Sequence, residues 1–247
     1  MIKEYILQQA DNALILGQRL GEWCGHGPIL EQDIALTNIS LDYIGLARNL
    51  YMYLAEIEGE GASEDDYPFK RDVFDFYNLL LLEQPNTDFA YTIVRQFLHD
   101  SFAIEFYQSL SHSSNERLAA LAAKSLKEIK YHYKYSSEWM IRLGDGTEVS
   151  HEKIQTALDD LWMYSQECFD TTPADDWAVR EGVGVDLNSI KARVEERRSA
   201  IIQEATLEEP SATWFQSGGK KGVHSEHLGF ILADLQYYQR AYPNSVW

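Results

Sequence analysis

A chain of 247 residues that is 45% hydrophobic and 13% aromatic has ample material for a packed core, and a formal charge of -18 repels phosphate backbones and anionic lipid surfaces at long range. Nucleic acid and membranes are therefore poor partners, whereas a more basic protein surface would be attracted. No apolar run approaches the roughly 20 residues that cross a bilayer, and the opening MIKEYILQQADN lacks the uninterrupted apolar segment of a signal peptide. One cytosolic domain, residues 1–247, is expected. Cys24 and Cys168 are too few for a disulfide framework or a cysteine zinc site and read as free or buried thiols.

In chain order, Ile6, Leu7, Ala10, Leu14, Gly17 and Leu20 recur at three- and four-residue steps and predict a first helix over 2–21, which GEWCGHGP breaks. A second helix is expected from about Ile29 to Ile57, with Asn38, Asp42 and Arg48 on or beside its inner face. GEGASEDDYP then reads as an exposed acidic loop. PFKRDVFDFYNLLLLE, 68–83, is compact and aromatic. Pro85 to Asp88 provide cap chemistry for a long helix reaching about Ser111, whose apolar stripe is interrupted by Asp100 and Glu105.

From Asn115 to Leu143, Leu118, Leu121, Ala122, Leu126 and Ile129 trace a helical stripe, with Ser113, Ser114 and Asn115 as alternative caps and Gly144 as the stop. A fifth helix is predicted from Ser150 or His151 to Phe169. TTPADDWAVREGVGVD is loop-rich with a short helical piece at most, Leu187 to about Leu207 is a charged amphipathic helix, and SATWFQSGGKKGVHS is a glycine-rich loop. Ser225 opens the last helix, through Tyr242. No run alternates as a strand would, so the chain is all-α.

Long helices with inward acids invite comparison with di-iron carboxylate bundles, which use two Glu-x-x-His pairs and two further Glu. Of seven histidines only His151 follows an acid by three positions, Glu148, and that pair lies in the turn GDGTEVSHE. Glu128 and His132, four apart, share a helix face and read as part of a polar network with Asp42, Asp100 or a tyrosine. The alternative is an autonomous metalloenzyme built on Glu128, His132 and nearby acids. Glu22 and His26 are separated by Gly25, while His224, Glu226 and His227 sit at a helix start, where capping is the commoner role. No metal is expected in this chain.

The blocks QRLGEWCGHGP (18–28), DIALTNISLDYIGLARN (33–49), NLLLLEQPN (78–86), AAKSLKEIKYH (122–132), SGGKKGVHSEHLG (217–229) and the closing AYPNSVW resemble, in order and over nearly the full length, the C-subunit family of bacterial phenylacetyl-CoA epoxidases. The resemblance implies a ferritin-like antiparallel helical bundle with additional helices and loops. It implies a structural, non-catalytic subunit that partners a catalytic A subunit holding the di-iron centre, and further epoxidase subunits. The complex would convert phenylacetyl-CoA to a ring-1,2-epoxide with O2, taking electrons from NADPH through a reductase subunit with FAD and an iron-sulfur centre. It also implies contacts to the CoA ester from two strips, Asp75, Phe76, Tyr77 and Asn78, and Trp177, Ala178 and Val179. The residues of PFKRDVFDFYN alone fit a ligand or a core equally well. Lys220 and Lys221 would suit a phosphate, an acidic partner surface or a solvated turn. Whether the isolated chain pairs with a copy of itself is left open by the sequence.

Overall fold

The computed structural model describes residues 1–243 and Ser245. Asn244, Val246 and Trp247, which belong to the AYPNSVW block, lie outside the described residues. Among the described residues every regular element is helical: α1 Ile2–Gly21, α2 Leu30–Glu58, α3 Asp66–Lys70, α4 Leu80–Glu83, α5 Phe89–Leu110, α6 Glu116–Gly144, α7 Glu148–Leu161, α8 Pro173–Arg180, α9 Leu187–Glu204 and α10 Glu226–Ala241. The chain divides into two compact units, Met1–Pro85 with Gly218–Trp247, and Asn86–Ser217. Among the described residues no helix is long and apolar enough to cross a membrane.

In the first unit α1 and α2 form an antiparallel hairpin. Lys3 meets Glu58 at 2.9 Å at one end, and Ser40 donates to the Gly17 carbonyl at 2.7 Å further along. A Cβ on Gly17 would lie 2.9 Å from Ile44, so the bare glycine lets the two helices approach closely. Asp42 is half-buried, beside the inner face as expected, whereas Asn38 and Arg48 face solvent. The cause is that α2 is apolar on more than one side: Leu30, Ile34 and Leu41 are 72%, 51% and 60% exposed, and periodicity alone does not say which stripe turns inward.

In the second unit α5 and α6 form the equivalent hairpin. Asp88 caps α5 by accepting from Tyr91 N at 3.1 Å, and Asn115 caps α6 by accepting from Leu118 N at 3.0 Å, each one of the residues the sequence offers for that start. One element differs from expectation. The fifth helix starts earlier, at a Thr147–Ser150 capping box, and ends at Leu161. Beyond it, the Ser165 carbonyl accepts from Arg198 Nη1 at 2.8 Å, and Phe169 N turns back to Gln166 O in a 3-10 turn. The Thr171–Asp186 stretch holds a full two-turn helix, α8, begun by a Thr172–Asp175 capping box and Pro173.

Candidate functional site

Residues Asp75–Asn78 follow a 3-10 turn, Val73–Asp75, and run extended beside α1. The polar pair in the middle of α1 receives them: Asp11 Oδ2 accepts from Tyr77 N at 2.9 Å and Asn12 Oδ1 from Leu79 N at 2.8 Å. Asp11 is fully buried, and its other partners are Arg71, in a two-pronged ion pair, and the Tyr51 hydroxyl at 2.6 Å. Burial alone would lower the Arg71 pKa, but the charge and hydrogen bonds of Asp11 outweigh it and raise it. Burial, then the Asp11 charge, push the Tyr51 phenol well above its ordinary value, so it serves as a neutral donor. The Arg71 guanidinium also covers the Phe76 ring, 4.1 Å from its centroid.

A second polar centre closes the strip at its other end. Glu83, fully buried, accepts from Asn78 Nδ2 at 2.9 Å, His224 Nδ1 at 2.5 Å, Ser225 N at 2.9 Å and Ser225 Oγ at 2.6 Å. His224 Nε2 lies 2.8 Å from the Phe76 carbonyl, which can only accept. With an ionised Glu83 facing Nδ1, both ring nitrogens have acceptors in front of them, an arrangement that favours the charged imidazole. Burial opposes that charge, but the hydrogen bond and charge of Glu83, with the Phe76 carbonyl, raise the His224 pKa. His224 thus spends both ring nitrogens on Glu83 and the Phe76 carbonyl and ties the 218–225 loop to the strip. Gly222, in the left-handed region at φ 76°, lets that loop pass the Phe74 carbonyl, which a Cβ would approach to 2.5 Å.

Of the four expected contacts in this strip, Phe76 and Asn78 are fully buried, Tyr77 is half-buried and Asp75 is exposed. Partial burial and the Glu4 charge raise the Tyr77 pKa. Asn78 Oδ1 is buried with no hydrogen-bond partner among the described residues. Lys220 is buried while Lys221 is exposed, so the lysine pair splits between interior and solvent. Asp11, Arg71, Glu83 and His224 escaped the sequence reading of this site. The signal available was polar side chains inside apolar runs, as in LQQADNALIL and LLLLEQ.

In the second unit, Trp177, Ala178 and Val179 lie on α8, the first half-buried, the second fully buried and the third 42% exposed. The Ala178 carbonyl accepts from Val183 N at 2.8 Å and Gly184 N at 2.9 Å. The turn so formed is pinned to the α5–α6 connection by Ser114 N donating to Gly182 O at 2.9 Å and Ser113 Oγ to Val183 O at 2.6 Å. These contacts fix where α8 presents its exposed edge.

The acids inside this unit are engaged by protein groups. Asp100, fully buried, accepts from Gln96 Nε2 at 2.6 Å and Ser136 Oγ at 2.8 Å. Glu105 accepts from Arg193 Nε at 2.6 Å and Arg197 Nε at 2.7 Å. Burial pushes its pKa up, but the two guanidinium hydrogen bonds prevail and hold it below the ordinary value. His132 is buried on α6, its ring 6.2 Å from that of Tyr131, and Glu128 is half-buried one turn before it. Asp42, considered for the same network, lies on α2 of the first unit. Among the described residues, no group of three or more His, Cys, Asp or Glu could hold a metal ion.

Fold and site together define an all-helical protein of the ferritin-like bundle class, in which the buried carboxylates Asp11, Glu83, Asp100 and Glu105 are engaged by arginine, amide, hydroxyl and imidazole partners. The chain matches the phenylacetic acid catabolic protein family over residues 1–247 and belongs to it. It is 48% identical, over 243 residues and 98% of each chain, to the C subunit of the 1,2-phenylacetyl-CoA epoxidase of Escherichia coli (strain K12).

Proposed function

We propose that this chain is the structural subunit of a cytoplasmic, multicomponent phenylacetyl-CoA 1,2-epoxidase in phenylacetate breakdown, and that it performs no bond chemistry itself. In this reading it stabilises a catalytic A subunit that carries the di-iron centre. Reducing equivalents from NADPH reach that subunit through a reductase with FAD and an iron-sulfur centre, and this chain holds none of these groups. The observation that carries the reading is the state of the buried acids. Glu105 is neutralised by Arg193 and Arg197, and Asp100 is occupied by Gln96 and Ser136, where a di-metal bundle would leave its carboxylates to a cation. The similarity to the E. coli epoxidase component over almost the whole chain supports the assignment of reaction and partners.

Both strips are proposed to border the CoA ester where this chain meets its partner. Asp75, Tyr77, Trp177 and Val179 offer side-chain surface for contact, while Phe76, Asn78 and Ala178 hold the backbone in place. We further propose that residues 1–247 fold as one ferritin-like domain, since the chain passes between its two units twice, at 85–86 and at 217–218.

Coexpression with the A subunit tests the partnership: one joint peak on a sizing column at micromolar concentration is expected, and separate elution would refute it. Metal analysis of the isolated chain and of the complex separates the reading from an autonomous enzyme using Glu128 and His132. Iron is expected in the complex alone, and near-stoichiometric iron or manganese in the isolated chain would reverse the assignment.

A further inference from the structure

Where α1, α2, α3 and α10 of the first unit meet, packing leaves a cavity of about 170 Å³ walled by Leu14, Ile44, Ala47, Tyr51, Phe69 and Leu235. Leu14, Ala47 and Tyr51 are buried, while Ile44, Phe69 and Leu235 are half-buried and lie nearer the opening. The gap has a local cause. The helix α3 that brings Phe69 has only five residues, about 7.5 Å at 1.5 Å per residue, too little to fill the space between α2 and α10. A cavity of roughly 150 Å³ lined by such side chains stays dry and takes up one benzene ring, so this one has the volume and the lining for a single aromatic ring.

Polar groups stand only at the rim, where Gln18, Arg48, Glu64 and Asp65 surround the opening and Arg48 lies 3.5 Å from Glu64. Two carboxylates against one guanidinium, in a chain of formal charge -18, turn away an anion. A charge carried inside would find no partner, because the Tyr51 hydroxyl is committed to Asp11 at 2.6 Å. The charged rim also differs from the socket for a protein anchor, which sits in a patch depleted of charged residues. Past Phe69 and Leu235 the opening continues into a second hollow bordered by Tyr238 and Gln239, whose hydroxyl and amide suit a neutral polar substituent. We propose that this cavity binds a small, neutral, monocyclic aromatic molecule, its ring against Tyr51 and Phe69 and its hydroxyl or amide group toward Tyr238 and Gln239. Tyr51 also donates to Asp11, which accepts from Tyr77 N, so a bound ring would steady the 71–79 strip. The inference does not depend on the proposed enzymatic complex.

Calorimetric titration of the full chain with benzyl alcohol tests it. Saturable one-to-one binding is expected, with Kd of about 0.1–1 mM for a ligand of this size. Benzoate should bind at least about tenfold more weakly, and the double variant E64Q/D65N should narrow that difference. Leu235→Trp, which fills the cavity from a half-buried position, should abolish binding with circular dichroism unchanged. Hydrogen exchange of the native chain needs no variant: benzyl alcohol should slow it along the α2 and α3 walls and at the Tyr77 and Leu79 amides. No saturable binding, a folded L235W protein that binds as well as the native one, benzoate equal to benzyl alcohol, or protection away from these walls would each overturn the proposal. Protection that stops at the walls would overturn the link to the strip. Benzyl alcohol bound by the isolated chain but excluded by the A subunit would mark the cavity as a socket for that subunit and overturn the assignment of a small ligand.

Discussion

Arg71 lays its guanidinium against the Asp11 carboxylate, with Nη1 3.0 Å from Oδ2, and so joins the middle of the first helix to a segment sixty residues later. The same carboxylate accepts from Tyr51 and from the Tyr77 backbone, so one buried charge sets the relation of α1, α2 and the 71–79 strip. Removing one member of such a pair strands the other charge in a desolvated site. Asp11→Ala should therefore destabilise the protein by about 3–5 kcal/mol, read as a shift in the urea midpoint at unchanged slope. Arg71→Met, which leaves Asp11 its two neutral donors, should cost less.

The His224–Glu83 pair makes stability depend on pH in a stated direction. An unfolded-chain histidine titrates near about 6.5, and the folded value is raised because Glu83 and the Phe76 carbonyl outweigh burial. The contribution of the pair is fully present below the unfolded value and is lost as pH rises through the folded one. Melting curves of the native chain between pH 6 and 9 should decline toward high pH, and His224→Gln should flatten that dependence. An equal slope in both proteins would show that another group is responsible.

Glu105 works in the opposite sense. Its pKa is lowered in the folded state, so its contribution is present above the unfolded value of about 4.3 and lost as pH falls through the folded one. Arg193 and Arg197 are 52% and 36% exposed, so solvent weakens the pairs. Glu105→Gln should cost about 1–2 kcal/mol at neutral pH. It should leave the iron content of an assembled complex unchanged; a loss of iron with the complex intact would give Glu105 a role in metal binding.

Tyr77 separates ligand contact from packing. Tyr77→Phe keeps the ring and the backbone bond to Asp11 and removes only the hydroxyl. If the strip borders the CoA ester, KM of the assembled epoxidase should rise about 2–10-fold, the equivalent of one neutral hydrogen bond, with little change in melting temperature. An unchanged KM for this variant and for Asp75→Ala would remove the strip from the substrate site.

Gly222 has a backbone reason to be glycine. Gly222→Ala places a methyl on the Phe74 carbonyl at a positive φ, and the strain should cost about 1–3 kcal/mol. Hydrogen exchange should quicken first in the 218–225 loop and at the amides of the strip it secures.

The sequence by itself determined the long helices and, to within a few residues, where they start, because spacing and capping act within about four residues and need no distant partner. The starts at Asp88, Asn115 and Ser225 were readable for that reason, as was the shortage of Glu-x-x-His pairs. Where the fifth helix stops was not, since Arg198, thirty-three residues on, takes the Ser165 carbonyl. Only the tertiary structure decided that Asp11 holds Arg71, that His224 holds Glu83 and the Phe76 carbonyl 148 residues away, and that Leu30, Ile34 and Leu41 of α2 look outward. Those outcomes depend on which chain segments close against one another. Local pattern does not encode this, because an apolar face or a buried acid is equally compatible with any partner that completes it.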